Sequence, residues 1–216
     1  MKNLHSSNIK AILFDMDGVV IDSEKLYSQS ESNVLSKYGV KFDESDWHYV
    51  KGCTEKQFYD LVYSKFKPAI PRKELVAECK DFLKKLFSDK LDYMSGFQKI
   101  CPYLRGKYKL ALVTSTGPEL VSHIDGLLSI YNNFDLVITS LDTELHKPNP
   151  EPYIKAMKRL NFQPNECVVV EDSIQGVKAG KAAGCAVVAL EGSVGKEFLQ
   201  DADYIISSLH DIQNII

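Results

Sequence analysis

The stretch "CVVVEDSIQGVKAGKAAGCAVVAL" (167–190) reads as a strand, a helix and a second strand in direct succession. "CVVV" and "AVVAL" are short, nearly continuous apolar runs rich in β-branched residues. They do not alternate with polar residues, which is the pattern of parallel strands covered on both faces. Between them "SIQGVKAGKAAG" (173–184) has a helix pattern rich in small residues, and Gly184 is placed to cap its C-terminus. Strand, crossover helix and parallel strand form one unit of an α/β sheet.

The same pattern extends outward in both directions. "AILF" (11–14), "LALV" (110–113), "DLVI" (135–138) and "YII" (204–206) read as further strands. Leu120, Val121, Ile124, Leu127, Leu128 and Tyr131 recur at helical spacing, as do Ile154, Met157 and Leu160. This alternation predicts an α/β fold, a three-layer doubly wound parallel sheet. One connection breaks the rhythm: about a hundred residues separate the first strand from the second, where a crossover needs about a dozen. Two apolar stripes run through that segment. One is Phe58, Leu61, Val62 and Phe66; the other is Leu75, Val76, Cys79, Phe82, Leu83, Leu86 and Phe87. Thr54 and Gln57 form a capping-box pair, and Pro71 suits a first helical position. The expected division is therefore a core of residues 1–19 and 93–216 with an inserted helical module at 20–92.

Composition narrows the class. The 216 residues are 44% apolar and 25% charged, and 26 basic groups face 29 acidic ones for a formal net charge of −3. These are ordinary globular values, which exclude a disordered or low-complexity chain. No basic block offers a footprint for nucleic acid or an anionic membrane, and the apolar runs are too short to span a bilayer. "MKNLHSSNIK" has no apolar core of signal-peptide length. Cysteines 53, 79, 101, 167 and 185 are odd in number and scattered, which predicts reduced thiols, with Cys167 and Cys185 packed as small hydrophobes. A soluble cytoplasmic protein, monomer or weak dimer, is expected. Histidines 5, 48, 123, 146 and 210 show no metal-ligand spacing; His123 and His146 read as surface or capping residues. Tyr27, Trp47, Tyr49 and Tyr59 read as core aromatics, and Lys51–Gly52 as a specificity loop.

In open α/β sheets ligands bind beyond the carboxyl ends of the strands. Asp15, Met16, Asp17 and Gly18 follow the first predicted strand, and Thr114, Ser115 and Thr116 follow the second. "HKPNPEPY" (146–153), with Lys147, follows the third, and Glu171, Asp172 and Ser173 follow "CVVV". Read singly, each has an ordinary structural explanation. Thr114 and Ser115 suit capping of the next helix, Lys147 a solvated surface, and Asp172 an N-cap near Ser173. Together they bring four carboxyl groups, hydroxyls and one lysine to a single sheet edge. Four carboxylates repel one another unless protons or a cation neutralise them, and Mg²⁺ is the hard divalent ion that answers this need. One carboxylate can attack phosphorus, a second can move the proton, and a lysine with hydroxyl and N–H groups can hold phosphoryl oxygens. The constellation reads as phosphoryl transfer.

With those residues in view, the chain resembles the haloacid dehalogenase superfamily. "FDMDGVVID", "LVTST", "HKPNPEPY" and "VVEDSIQGVKAG" resemble its four motifs, in order, across residues 14–180. The helical insert resembles the cap that family members carry after the first motif. The resemblance implies Asp15 as nucleophile and Asp17 as general acid/base. It implies phosphoryl binding by Thr114, Lys147 and the Ser115 backbone. Mg²⁺ would be held by the Asp15 side chain, the Asp17 backbone carbonyl and Asp172, with Glu171 nearby or acting through water. Gly18 followed by Val19 resembles the branch containing β-phosphoglucomutase and many sugar phosphatases. That mutase carries a His where Tyr27 stands and an Arg where Glu55 stands, and both departures disfavour a mutase. A dehalogenase needs no metal and lacks the second Asp; a phosphonate hydrolase carries a small residue at position 17. The expected activity is Mg²⁺-dependent hydrolysis of a small phosphorylated metabolite, such as a sugar phosphate, beneath a cap of about 70 residues that limits access for polymers. A phosphosugar mutase and a non-catalytic phosphometabolite-binding protein stand as alternatives.

Overall fold

The computed structural model describes residues 8–43, 46–47, 50 and 55–216. The expectations for His5, His48, Tyr49, Lys51–Gly52, Cys53 and Thr54 lie outside the described residues. The chain forms two compact units, Met1–Asp22 with Asp92–Ile216, and Ser23–Leu91.

In the first unit, six parallel strands form one sheet: β1 (Ala11–Phe14), β2 (Lys109–Val113), β3 (Leu136–Ile138), β4 (Cys167–Glu171), β5 (Ala186–Leu190) and β6 (Tyr204–Ile206). Their order is β3-β2-β1-β4-β5-β6. The winding direction reverses between β1 and β4, so their carboxyl ends border a crevice. Every residue of β1 and β4 is buried, which is why these strands are apolar without alternation. Ala11, Leu13, Ala111, Val113, Val169, Val187 and Ala189 share a core with Tyr153, Met157 and Val177. Those last three come from α6 (Glu151–Leu160) and α7 (Ile174–Ala182). On the opposite face Phe14 meets Phe97 edge-on at 5.9 Å, from α4 (Phe97–Arg105). Two helical layers therefore enclose the sheet.

Some boundaries differ from expectation. Asp135 precedes β3 because its carboxylate accepts the Leu110 N–H at 3.0 Å and binds Lys109 at 2.6 Å. Helix α5 (Pro118–Leu128) ends at Ser129, whose φ of 54° is left-handed. That residue ends the stripe before Tyr131, which is exposed, and Leu127 inside the helix is exposed as well. The first unit also extends to Asp22. Ile21 bridges Asp17 and Tyr93, and Met94 N–H donates to Val20 O at 2.9 Å, so Val20–Asp22 belong with the sheet rather than with the insert.

The second unit contains α1 (Glu24–Lys37), α2 (Glu55–Lys65) and α3 (Arg72–Lys90). Pro71 stands one residue before α3 as its N-cap rather than inside the first turn. Val34 and Leu35 pack with Phe58, Tyr59, Val62, Leu75 and Cys79, so the apolar stripes meet inside the unit. Tyr27 packs edge-on against Phe87 at 5.7 Å, Trp47 lies 4.9 Å from Phe42, and Glu55 pairs with Lys80 at 3.1 Å.

Partly buried Glu31 on α1 is the electrostatic weak point of this unit. Burial, with Glu24 and Glu55 adding repulsion, pushes its carboxyl from 4.5 up to about 8. A carboxyl raised on folding contributes its stability below its unfolded value and loses it as pH rises through the folded one. Glu31→Gln is therefore expected to raise the thermal midpoint relative to wild type at pH 9, by a margin that shrinks as pH falls toward 4.5 and vanishes below it. Equal behaviour of the two proteins at pH 9 in thermal unfolding would contradict this account.

Candidate active site

The parallel register sets the site. Phe14 pairs with Val170, and the Asp15 N–H donates to Val170 O at 2.9 Å, which places Asp15 beside Glu171 across the switch point. Thr114 follows β2 and its N–H is anchored on Ile138 O at 2.9 Å. Lys147, carried by the loop ahead of α6, reaches into the space between them.

Lys147 is buried, and its ammonium donates to Asp15 Oδ1, to Glu171 Oε1 at 2.7 Å and to Val113 O at 3.0 Å. Burial opposes its charge, but the Asp15 and Glu171 carboxylates outweigh that and hold the pKa above the usual lysine value. Glu171, with no exposed surface, has both oxygens engaged. Oε1 also accepts the Tyr153 hydroxyl at 2.8 Å; Oε2 accepts the Ser173 hydroxyl at 2.9 Å and the N–H groups of Asp172 at 3.1 Å and Ser173 at 3.2 Å. Burial alone would raise the Glu171 pKa, yet Lys147 and these donors hold it low. Asp15 behaves oppositely. Its burial, reinforced by Glu171 and Asp17, pushes its carboxyl up against the pull of Lys147. The single ammonium donates to both carboxylates, so the group as a whole keeps an excess of negative charge.

Carboxylate oxygens of Asp15, Glu171 and Asp172 all lie within 4.8 Å of one another. Three buried carboxylates against one lysine leave about two negative charges when ionised, and every donor is an oxygen. That set fits a hard divalent cation. The Asp17 side chain lies outside this group; its Oδ2 accepts the Thr116 hydroxyl at 2.8 Å. Thr116 N–H in turn donates to Thr114 Oγ1 at 3.0 Å. Thr114 is buried and Ser115 exposed, and neither caps α5, whose N-cap is Gly117. Asp172 does not cap α7 either. Ser173 does, accepting the Gly176 N–H at 3.0 Å, while Asp172 receives the Ser193 hydroxyl on Oδ2.

Thus Asp15, Thr114, Lys147, Glu171 and Asp172 are gathered and buried, with Asp17 at their margin. Thr116, Tyr153 and Ser173 lie within the motifs without an expected role; their places two and six residues from Thr114 and Lys147, and directly after Asp172, are the signal the sequence offers. Ser193 has none. Exposed His146 contacts the Thr143 hydroxyl at 3.4 Å through Nδ1.

The chain belongs to the haloacid dehalogenase-like hydrolase family, whose profile matches residues 12–190. Among its relatives, a phosphorylated carbohydrates phosphatase of Thermotoga maritima is 30% identical over 82% of this chain and 82% of that protein. Glycerol-1-phosphate phosphohydrolase 1 of Saccharomyces cerevisiae is 29% identical over 96% of this chain and 86% of that protein. A solved Thermotoga maritima structure, described as a candidate β-phosphoglucomutase, superposes with a TM-score of 0.80 at 27% identity, covering 96% of this chain and all of that one (100%).

Close packing makes one glycine critical. A Cβ at Gly176 would stand 1.7 Å from Glu171 Oε1. Gly176→Ala must therefore displace Glu171 or the first turn of α7, and is expected to destabilise the protein by about 3 kcal/mol, the upper end for overpacking. Urea unfolding checks this; a loss within about 0.5 kcal/mol, the scale of an ordinary surface substitution, would show that the buried network gives way easily.

Proposed function

We propose that this chain is a Mg²⁺-dependent phosphatase that hydrolyses a small phosphorylated metabolite, such as a sugar phosphate, through an aspartyl-phosphate on Asp15. The observation that carries the reading is the grouping of Asp15, Glu171 and Asp172 around the buried Lys147 ammonium at the sheet's switch point. The named phosphatases among the relatives support it.

Asp15, Asp172 and the Asp17 backbone carbonyl would hold Mg²⁺, with Glu171 beside them. When bound, the ion supplies positive charge that keeps Asp15 ionised and screens the phosphoryl oxygens. In the first step an Asp15 carboxylate oxygen attacks phosphorus as the ester P–O bond breaks, and protonated Asp17 gives its proton to the leaving oxygen. In the second, Asp17 takes a proton from water as the water oxygen attacks phosphorus. The acyl-phosphate P–O bond breaks, inorganic phosphate leaves, and Asp15 is regenerated. Thr114, Lys147 and the Ser115 N–H would hold the non-bridging oxygens, where charge accumulates in the transition state. Lys147 suits this because Glu171 fixes it from behind. Thr116 suits orientation of Asp17, whose carboxylate it already holds. The buried free thiols of Cys79, Cys101, Cys167 and Cys185 support a reducing, cytoplasmic setting.

Phosphate release from a panel of sugar phosphates, phosphorylated carboxylic acids and nucleotides, with Mg²⁺ or with EDTA, tests the proposal. Release should require Mg²⁺ and fall at least about a thousandfold in Asp15→Asn, the scale on which loss of a covalent nucleophile acts. Undiminished release by Asp15→Asn would overturn the assignment. Isomer formation from a sugar phosphate without net phosphate release would favour a mutase.

A further inference from the structure

The loop after β5, residues 191–195, contributes a residue that none of the four motifs contains. Parallel pairing sets Glu171 against Ala189, so the chain leaving β5 runs beside the chain leaving β4. The Glu191 N–H is pinned to Ile206 O at 2.8 Å, and Gly192, with φ of 156°, lets the backbone turn there. This brings Ser193 to Asp172, where its hydroxyl donates to Oδ2. The β1 loop makes room for the pair. A Cβ at Gly18, which has φ of 76°, would lie 1.9 Å from Asp172 Oδ2 and 2.7 Å from Ser193 Oγ. Three loops therefore close on one carboxylate, and only a glycine fits between them.

We propose that Ser193 is a positioning residue for the carboxylate group, its hydroxyl fixing the orientation in which Asp172 meets a divalent cation. The inference rests on the reading that Asp172 helps to hold Mg²⁺. An aspartate turns easily about its terminal bond, and immobilising it before the ion arrives lowers the ordering needed on binding. Ser193 changes no charge at the site and touches no reacting atom. Its effect falls on cation affinity rather than on the rate of the fully loaded protein.

The test uses the full chain stripped of metal and titrated with Mg²⁺ alone by calorimetry, as wild type, Ser193→Ala and Ser193→Thr. Ser193→Ala should weaken Mg²⁺ binding about tenfold, the lower end for loss of a partner that orients a ligand. Ser193→Thr, which keeps the hydroxyl, should restore most of it. The metal-free protein should stay folded, its thermal midpoint lowered only by the loss of one hydrogen bond. In the phosphate-release assay the Mg²⁺ concentration for half-activity should rise by the same factor, with kcat at saturating Mg²⁺ nearly unchanged. Equal Mg²⁺ affinity in wild type and Ser193→Ala would overturn the role of Ser193 and leave the reading of the site intact. Absence of Mg²⁺ binding by the wild type would overturn both.

Discussion

A buried ammonium organises the carboxyl-end edge of the sheet in this protein. Lys147 lies between Asp15 and Glu171 with its third donor on the Val113 carbonyl, so residues from the ends of three strands and the loop before α6 converge on one nitrogen. A lysine out of water is tolerated only where opposite charge and acceptors replace its hydration. Here the acceptors are themselves buried, and each depends on the lysine in turn. Glu171 is the most fully satisfied member, with Tyr153, Ser173 and two backbone N–H groups completing its shell. Asp15 differs: burial first, then the charges of Glu171 and Asp17, hold its pKa up against the pull of Lys147.

That imbalance connects structure to the proposed chemistry. A network with no excess of negative charge would attract a divalent cation far less strongly. One holding three carboxylates and a single lysine is poised for a divalent ion and, with it, for a phosphoryl group. Glu171, with both oxygens bonded, keeps Lys147 in place, whereas burial and the neighbouring carboxylates hold the Asp15 pKa up. Rigidity and reactivity are thus divided between neighbouring carboxylates on the same strand ends. The close contacts at Gly18 and Gly176 show how tightly the backbone is drawn around them.

Much of the fold could be read from the chain because the apolar strands have little choice. Runs such as "AILF" and "CVVV" bury every residue, so their character survives without tertiary information. Asp15, Glu171 and Asp172 were legible for a related reason, since each stands at or just beyond the end of such a strand, whereas Lys147, in the loop before α6, was legible only from its place in "HKPNPEPY". Less legible were features that depend on which neighbour wins a hydrogen bond. Ser173, not Asp172, caps α7, because the helix starts at Ile174 and the Ser173 hydroxyl accepts the Gly176 N–H. The apolar stripe after residue 118 fails at Tyr131, because a left-handed Ser129 ends the helix first.

Sequence alone determined the alternation of strands and helices, the presence of a long helical insertion and the residue types at the strand ends, since these follow from local periodicity and burial. Tertiary structure decided which of those residues act on one another. The strand order places β4 beside β1, so residues 15 and 171, far apart in the chain, become neighbours. The same pairing brings Ser193 from an unremarked loop to Asp172. Those contacts arise from parallel register between strands distant in sequence, and no local pattern encodes a partner that the chain reaches only after the sheet has assembled.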